Sequence, residues 1–365
     1  MPFTVDLAVR IRRSVNPQTT DSVRALLLHE NTQALIFRSF PTPEIEKSWR
    51  SLLARVELPS HYAAPEFLLE KHLSARRPFA VLAMEGGVMT GMHGPHLTVS
   101  GLPVRAQVCL DHPGNEEAIG ALVSGFLAEA GSFDLIEINS WTPLAVAEKL
   151  GFKVQQVDGP VVLDLTQPLD ALFKGLNSKR RNIQCAIRNN IEFTEATDSN
   201  FSAYYEDVYS RWRQTPRKKI LEAETTFEGY DRRFRLNANR KLFLARVDGK
   251  TVAGVFLRFH EGGLAEYSAG SSLDEYLHLR PNDFLQWKTI EWAQSRGFKA
   301  YSLGGANQFH RAFGGAVIPA YRYLLDRTFL RNYTLKKNLS AIPRKVLPAR
   351  VRQYVRHALG IRIGS

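Results

Sequence analysis

The sequence predicts an α/β protein built from two similar units, each a mixed, mostly antiparallel sheet flanked by helices. The chain has 365 residues, 44% of them hydrophobic, which is enough for two separate cores. An order of hairpin, helix and strand occurs twice. Corresponding glycines of the two copies are almost equally far apart: Gly91 and Gly254 are separated by 163 residues, and Gly131 and Gly297 by 166. We interpret this pattern as a duplicated unit.

The first copy begins with a β-hairpin. Residues 79–84 are β-rich, the turn Glu85-Gly86-Gly87 follows, and Gly91 lies in the next strand. Apolar residues between 119 and 130 then recur with the 3.6-residue period of a one-sided helix that ends at Gly131. A strand is predicted directly after it, over 133–138.

The second copy repeats this order. Residues 242–247 form the predicted strand, and Asp248-Gly249-Lys250 is the turn. A helix starting at Asn282 and stopping at Gly297 precedes a strand over 298–303.

The predicted elements place the boundary between the units, with Gly151-Phe152 at the end of the first one. We predict an N-terminal unit over 1–158, a C-terminal unit over 159–330 and a basic tail over 331–365. A strand over 161–165 and a helix beginning after Pro168 open the second unit. Residues 3–11 alternate apolar and polar side chains, which indicates a strand and not a signal peptide.

Positive charge is concentrated in the tail. The net charge is +12, of which nine Lys and Arg residues after residue 330, with no acid among them, contribute +9. Apolar residues over 347–358 are interleaved with arginines, which suits a helix on an anionic membrane surface. A helix packed on the protein, or a loosely ordered tail, explains the pattern equally well.

Several classes of protein are excluded. Cys109 and Cys185 are the only cysteines, too few for a disulfide framework, and neither has metal-ligand spacing, so we expect no metal. Hydrolase-elbow, phosphate-loop and dinucleotide motifs are lacking. There is no apolar run of roughly 18 residues, and we expect a cytoplasmic protein, with contact to the inner membrane face only through the tail.

A basic segment is the first candidate for ligand binding. Residues 174–189 carry five cations and no acid, and we predict one helix with an apolar stripe beside a cationic flank. Arg180 and Arg181 would hold an anionic group. The alternative is a solvated basic face with no ligand, which is common for such runs.

Three further segments complete a recognisable set of motifs. They are a strand with Tyr-x-Ala-Gly at 267–270, a helix start with Pro-x-x-Phe-Leu-x-Trp at 281–287, and a strand ending in Gly304-Gly305 before Phe-x-x-x-Phe-Gly at 309–314. With the Ser-Lys-Arg-Arg-Asn run at 178–182, they resemble the second domain of FemAB-type and cellulose-biosynthesis-associated acetyltransferase-like proteins. The resemblance covers about 160–325, and residues 1–155 are more loosely similar to a preceding GNAT-like half.

This resemblance implies a tandem GNAT fold and an acyltransferase. The implied donor is a thioester, acyl-CoA or acyl carrier protein, and the implied acceptor is a small-molecule or lipid-linked amine of a cell-envelope or polysaccharide precursor. An aminoacyl-tRNA donor is the second alternative, and a binding protein without catalysis is the third. Such a transfer mainly requires orientation of the amine and stabilisation of an oxyanion.

Two positions depart from the family pattern. The cell-wall transferases tend to have lysine where this chain has His310, which argues against an aminoacyl-tRNA donor because histidine is a weaker fixed charge. Residues 271–280 also lack the glycine-rich loop that binds a pyrophosphate in GNAT enzymes, so an acyl-CoA donor is less certain.

The predicted site divides into catalytic and binding residues. His310 and Arg311 would stabilise the oxyanion or leaving group, and Tyr267 would orient the acceptor, although Tyr267 is equally well explained as a packed strand residue. The predicted binding residues are Arg180, Arg181, Arg280, Asn282, Asn307, Gly304 and Gly305. Because the first unit lacks the basic segment, we expect it to serve as a scaffold.

Overall fold

The computed structural model describes residues 23–29, 32–70, 77–84, 86–93, 104–112, 114–131, 133–176, 178–214, 226–331, 333–335 and 338. The strand predicted over 3–11 and the tail helix predicted over 347–358 lie outside these ranges. Within them, thirteen strands and a series of helices are present.

The strands are Val23–His29 (β1), Thr32–Phe37 (β2), Arg77–Ala83 (β3), Gly87–His93 (β4), Val104–Leu110 (β5), Leu135–Ser140 (β6), Lys153–Asp164 (β7), Glu192–Glu195 (β8), Arg240–Val247 (β9), Lys250–Phe259 (β10), Leu264–Ser272 (β11), Ala300–Gly305 (β12) and Ala316–Asp326 (β13). The α-helices are Pro43–Arg55 (α1), Glu116–Ala130 (α2), Ala145–Lys149 (α3), Leu169–Lys174 (α4), Lys179–Arg188 (α5), Asp198–Tyr204 (α6), Ser210–Gln214 (α7), Phe227–Phe234 (α8), Pro281–Ser295 (α9) and Gln308–Arg311 (α10). Short 3₁₀ turns cover His61–Ala63, Pro65–Leu69 and Asp274–Leu279, and a π-helical turn covers Tyr205–Tyr209.

The sheet confirms the duplication. The order β3, β4, β5, α2, β6 of the first half recurs as β9, β10, β11, α9, β12, and both long helices have 15 residues. In each half the hairpin strands are antiparallel, while the last two strands, β5 with β6 and β11 with β12, are parallel. A helix joins each parallel pair, as such a crossover requires.

Strands of the two halves pair with each other at the centre of one continuous sheet. The strand order is β1-β2-β3-β4-β5-β6-β13-β7-β12-β11-β10-β9-β8. Thus β6 pairs with β13 from the end of the chain, and β7 pairs with β12 of the second half. The predicted boundary after residue 158 falls inside β7, which is longer than the strand predicted over 161–165, and the division into domains stays a prediction.

Glycines end the elements as predicted. At the β9–β10 turn, Asp248 and Gly249 have φ of 48° and 76°, the left-handed conformation that a two-residue hairpin of this type requires. Gly297 has φ of 79° just after α9, where a left-handed residue commonly follows the last helical turn.

The basic segment differs from the prediction, because it forms two helices and not one. Helix α4 ends at Lys174 with Gly175 as its C-cap, and α5 begins at Lys179. The physical reason is close packing: a β-carbon added to Gly314, which has φ of 83°, would lie 2.4 Å from the carbonyl oxygen of Gly175. The last glycine of the Phe-x-x-x-Phe-Gly motif therefore allows the break between α4 and α5 to pack against the loop after α10.

Each half has a core on both faces of the sheet. In the first half, α2 covers one face, and α1 with the turns over 61–69 covers the other. In the second half, α4, α5 and α9 cover one face, and α6, the π-helical turn and α8 cover the other. In the described ranges, the helices fall short of the length and apolarity that a membrane span requires.

Candidate active site

A cavity of about 570 Å³ opens where the parallel strands separate. In the second half, β11 and β12 pair only as far as Glu266 and Ser302. In the first half, β5 and β6 pair only as far as Gln107 and Asn139. Residues of all four strands, at and beyond the last paired positions, line this one cavity, together with the segment over 56–62 and parts of β7 and β13. Substrate-sized space therefore lies between the two halves, and the first half supplies much of its wall.

Glu266 is the carboxylic acid of β11 that lines this cavity. Its side chain is 17% exposed. Burial raises the pKa of the Glu266 carboxyl to about 7, although the nearby Arg258 guanidinium acts in the opposite direction. A carboxylate with such a pKa accepts a proton near neutral pH, which is the property of a general base.

A buried histidine from the first half contacts this carboxylate. His61 Nδ1 lies 2.9 Å from Glu266 Oε2, and Arg258 Nη1 lies 3.3 Å from His61 Nε2. Arg258 Nη1 also donates to Tyr62 Oη at 3.4 Å, and Tyr62 lines the cavity. Burial, with the positive charge of Arg258 next in size, lowers the pKa of His61 well below its ordinary value, so the imidazole is neutral.

Two ion pairs anchor the next turn of the first half, which ends at Glu70, to the second half. Glu70 Oε2 lies 2.8 Å from Arg240 Nη2 on β9 and 3.7 Å from Arg258 Nη2 on β10. All three side chains are at most 15% exposed. The base and its surroundings therefore combine residues from both halves.

Tyr267, predicted from the sequence, also lines the cavity. Burial raises the pKa of its hydroxyl, which is therefore neutral and able to donate a proton or hydrogen bond at physiological pH. Its ring packs edge-on against the ring of His310 at 5.5 Å between centroids. Glu266 and Tyr267 are consecutive on β11, so they reach the cavity from opposite faces of the strand.

His310 lies directly behind the cavity wall. It is 8% exposed, and its Nδ1 lies 2.6 Å from the carbonyl oxygen of Gly305, which lines the cavity. Asn307 Nδ2 also lies 3.1 Å from this nitrogen, but the contact with the carbonyl is shorter, and because a carbonyl only accepts, Nδ1 carries the proton and donates it to Gly305. Burial lowers the pKa of His310, and Lys179 acts in the same direction. Asn307, also predicted, is the N-cap of α10 and accepts from His310 N at 2.9 Å.

We expect His310→Ala to lower the free energy of unfolding by about 1–2 kcal/mol, because it removes a largely buried hydrogen bond and a ring contact. His310→Asn places an amide donor near the position of Nδ1 and should restore most of that stability. Chemical denaturation of the three proteins measures the effect. Turnover lost in His310→Asn at full stability would support the catalytic role of the imidazole that the sequence predicts; equal stability of His310→Ala and wild type would contradict the hydrogen bond.

The other predicted residues of this loop have different surroundings. Gly304 and Gly305 line the cavity, and Gly304 has φ of 80°. The Arg311 side chain is directed elsewhere: its Nε donates to Ala306 O at 2.9 Å, and its Nη2 pairs with Asp158. Arg311 lines a separate surface depression, so its role at the oxyanion stays a prediction without support from this geometry.

The predicted anion-binding residues lie at the adjoining N-terminal ends of α5 and α9. Lys179 Nζ and Asn182 Nδ2 donate to Asp283 at 2.6 and 2.7 Å, which joins the two helix ends. Arg180, Arg181 and Arg280 are exposed near this contact. In the described part of the chain, these three arginines are not among the residues that line the cavity.

The start of α9 does not fit the pyrophosphate of an acyl-CoA. Pro281 has no N–H to offer in the first turn, and the carboxylate of Asp283, 6% exposed, already occupies this helix end. Asn282 donates to Ser272 Oγ at 3.0 Å.

Sequence reasoning missed the centre of the site. It selected Tyr267 but not the adjacent Glu266, and it overlooked His61 and Arg258. The only local signal was a glutamate inside an otherwise apolar and small-residue strand. Metal-binding groups are not found: no cluster of three or more candidate ligand side chains occurs among the described residues.

Comparison with known proteins agrees with this fold. Residues 174–312 match the family described as acetyltransferase (GNAT) domain. The structure of FemX is similar, with a TM-score of 0.59 and 14% identity, covering 77% of this chain and 96% of that one. The C-terminal domain of a putative lysylphosphatidylglycerol synthetase from Agrobacterium fabrum has a TM-score of 0.54 and 16% identity, covering 77% and 92%. The curated proteins contain no significant match.

The matched domain and the tandem arrangement define the class of protein. The chain carries a GNAT-type acyltransferase domain in its second half. The matched domain is of the acyltransferase type, and the tandem fold is similar to that of FemX.

Proposed function

We propose that this protein is an N-acyltransferase that moves an acyl group from a thioester donor to an amine of a cell-envelope or polysaccharide precursor. The observation that carries the proposal is the Glu266 carboxylate in the cavity between the two halves, with a pKa of about 7. The GNAT domain implies a donor of the acyl-CoA type in general.

The chemistry follows from Glu266 and Tyr267. The acceptor arrives as an ammonium ion, and Glu266 takes its proton, so the nitrogen lone pair is free to attack the thioester carbonyl carbon. A C–N bond forms and the C–S bond breaks, and the electron pair of that bond leaves on sulfur. The Tyr267 hydroxyl can protonate the leaving thiolate or hydrogen-bond the carbonyl oxygen. The second amine proton restores the Tyr267 hydroxyl where Tyr267 has protonated the thiolate, and the proton held by Glu266 passes to solvent, which regenerates both groups.

The charge of the cavity favours a cationic acceptor. The ionised side chains that line it are Glu57, Asp111, Asp158, Glu266 and Arg322. Four carboxyl groups stand against one guanidinium, although Asp111 and Asp158 are paired with arginines outside the lining and Glu266 carries only part of a charge at pH 7. The remaining balance favours an ammonium group over a phosphate. The donor phosphates would then bind outside the cavity, near Arg180, Arg181 and Arg280.

An envelope or polysaccharide acceptor rests on the family resemblance. One structural neighbour is named as a lysylphosphatidylglycerol synthetase, so a lipid-linked acceptor is included among the candidates. Neutral polar groups such as Asn139 and Gln107 line the first-half side of the cavity and suit a hydroxylated amine such as an amino sugar.

The test uses the full chain with three donors: acetyl-CoA, acetylated acyl carrier protein and lysyl-tRNA. The acceptors are glucosamine and a short peptide with a free N-terminus, which offer amines, and phosphatidylglycerol vesicles, which offer only hydroxyl groups and therefore test the aminoacyl-transfer alternative. Mass spectrometry detects the acylated product. We expect an amide product from a thioester donor. Product from lysyl-tRNA alone would replace the proposal by aminoacyl transfer, and no product, with no thermal stabilisation by any donor, would indicate a binding protein.

A further inference from the structure

We infer that His61 is a positioning residue for the reaction: it donates its Nδ1–H to the Glu266 carboxylate, and Arg258 fixes the ring in the tautomer that allows this. The inference rests on the proposed function only in taking Glu266 as the base. With this role, a residue of the first half contributes to the chemistry of the second half, whereas the sequence predicts that the first half is only a scaffold.

The hydrogen-bond geometry determines the tautomer. A guanidinium can only donate, so the His61 Nε2 that faces Arg258 Nη1 at 3.3 Å must present a lone pair. A neutral imidazole with Nε2 unprotonated carries its proton on Nδ1. That nitrogen lies 2.9 Å from Glu266 Oε2, so it is the donor and the carboxylate is the acceptor.

The surroundings keep the imidazole neutral. Its side chain is 2% exposed, and burial together with Arg258, Arg240 and His260 lowers the pKa of His61. A protonated His61 would place a proton on Nε2 against Arg258. The ring is thus a fixed neutral donor over the pH range in which Glu266 titrates.

The position of His61 is fixed by the first half. Trp49 on α1 is fully buried, and its Nε1 donates at 2.8 Å to the carbonyl oxygen of Ala63, which lies in the same turn as His61. On the other side, Leu264 N donates to Pro59 O at 3.1 Å at the start of β11. A β-carbon on Gly263 would lie 2.4 Å from Pro59 O, so glycine is required for this close approach. The turn therefore joins the core of the first half to the strand that bears Glu266.

Several ionisable groups surround this pair and contribute to its titration. They are Tyr62 beside His61, Glu70 on the following turn, Arg240 on β9, Arg258 on β10, His260 at the β10–β11 turn and Tyr267 on β11. Since they are the same in wild type and in a His61 variant, the difference between the two proteins isolates the contribution of His61.

The experiment measures the pKa of Glu266 directly, by NMR titration of ¹³Cδ-labelled glutamate in the full chain, with Glu266→Gln to assign the signal. His61→Leu removes the donor at similar volume, whereas His61→Asn keeps an amide donor near the position of Nδ1. Because a hydrogen bond to the carboxylate favours its charged form, we expect the pKa of Glu266 to rise by about one unit in His61→Leu and to stay close to wild type in His61→Asn.

Turnover of acetyl-CoA with glucosamine gives a second readout. At pH 7 we expect kcat to fall about fivefold in His61→Leu, with the acceptor KM little changed, and to return to about the wild-type value at pH 7 when the pH is raised by about one unit. A general loss of structure would lower kcat at every pH and would not be restored by His61→Asn.

Two results would overturn the inference. One is an unchanged Glu266 pKa in His61→Leu. The other, which needs no variant of uncertain stability, is a ¹⁵N spectrum of the wild-type protein that places the His61 proton on Nε2. Either outcome leaves the proposed function intact, while full activity of Glu266→Gln would remove Glu266 as the base and leave the His61 contact standing.

Discussion

Replacing Glu266 by glutamine is expected to lower kcat for acyl transfer by about a thousandfold, the usual contribution of a positioned general base. Glutamine keeps the size and hydrogen-bonding oxygen of the side chain but has no basic carboxylate. Because the acceptor still fits the cavity, its KM should change little. Steady-state kinetics with acetyl-CoA and glucosamine, or with whichever acceptor proves active, measure both parameters.

The pH profile makes this prediction sharper. With a pKa of about 7, Glu266 is increasingly protonated below pH 7, so kcat/KM of the wild type should fall about tenfold per pH unit on the acid side. The residual activity of Glu266→Gln should lack this limb. Glu261→Gln, which changes an exposed carboxylate in the preceding turn, is the matched control and should behave as wild type. A Glu266→Gln enzyme with more than a tenth of wild-type kcat would contradict the assignment.

The parts of the fold that could be predicted from the sequence are those with local causes. Gly249 and Gly297 take left-handed conformations that glycine adopts without a side-chain clash. A few residues around each glycine are therefore enough to predict the hairpin and the helix end. The same holds for α2, whose apolar residues keep a helical period up to Ala130. These signals do not depend on the rest of the chain.

The features that escaped prediction all depend on distant residues. Strands β7 and β13 pair although the second half separates them along the chain, and no local pattern distinguishes that partner from another. His61 and Glu266 are 205 residues apart and meet only because the first-half turn docks on β11. The sequence predicts that Arg311 stabilises the oxyanion, but in the structure its guanidinium pairs with Asp158 on β7. Tertiary docking decides which polar side chains reach the cavity.

Removal of the Glu70 carboxylate is expected to have the largest effect on stability. In Glu70→Leu, Arg240 and Arg258 are left as two like charges in a nearly dry environment, with exposed fractions of 4% and 15%. Leaving buried charges without their partner costs about 3 kcal/mol of the free energy of unfolding. Burial already lowers the pKa of Arg240 to about 10, with Arg258 acting in the same direction and Glu70 against it. Urea denaturation monitored by tryptophan fluorescence measures the loss.

A double variant separates the lost charge pair from lost packing. Glu70→Leu combined with Arg240→Met removes both members of the closer pair, and we expect it to recover most of the stability, as apolar replacements of buried ion pairs commonly do. A double variant as unstable as the sum of the two single variants would instead assign the cost to packing at the turn.

The same substitution also acts on the base. Without the negative charge of Glu70, Arg240 and Arg258 present more uncompensated positive charge toward Glu266, which favours its carboxylate form. The acid limb of kcat/KM should therefore move to lower pH in Glu70→Leu, opposite to the shift expected for His61→Leu. Both substitutions disturb the adjoining turns of one short segment of the first half, so opposite shifts could not come from a general loosening of that segment. They would show that the first half controls the base through two separable contacts, one electrostatic and one a hydrogen bond.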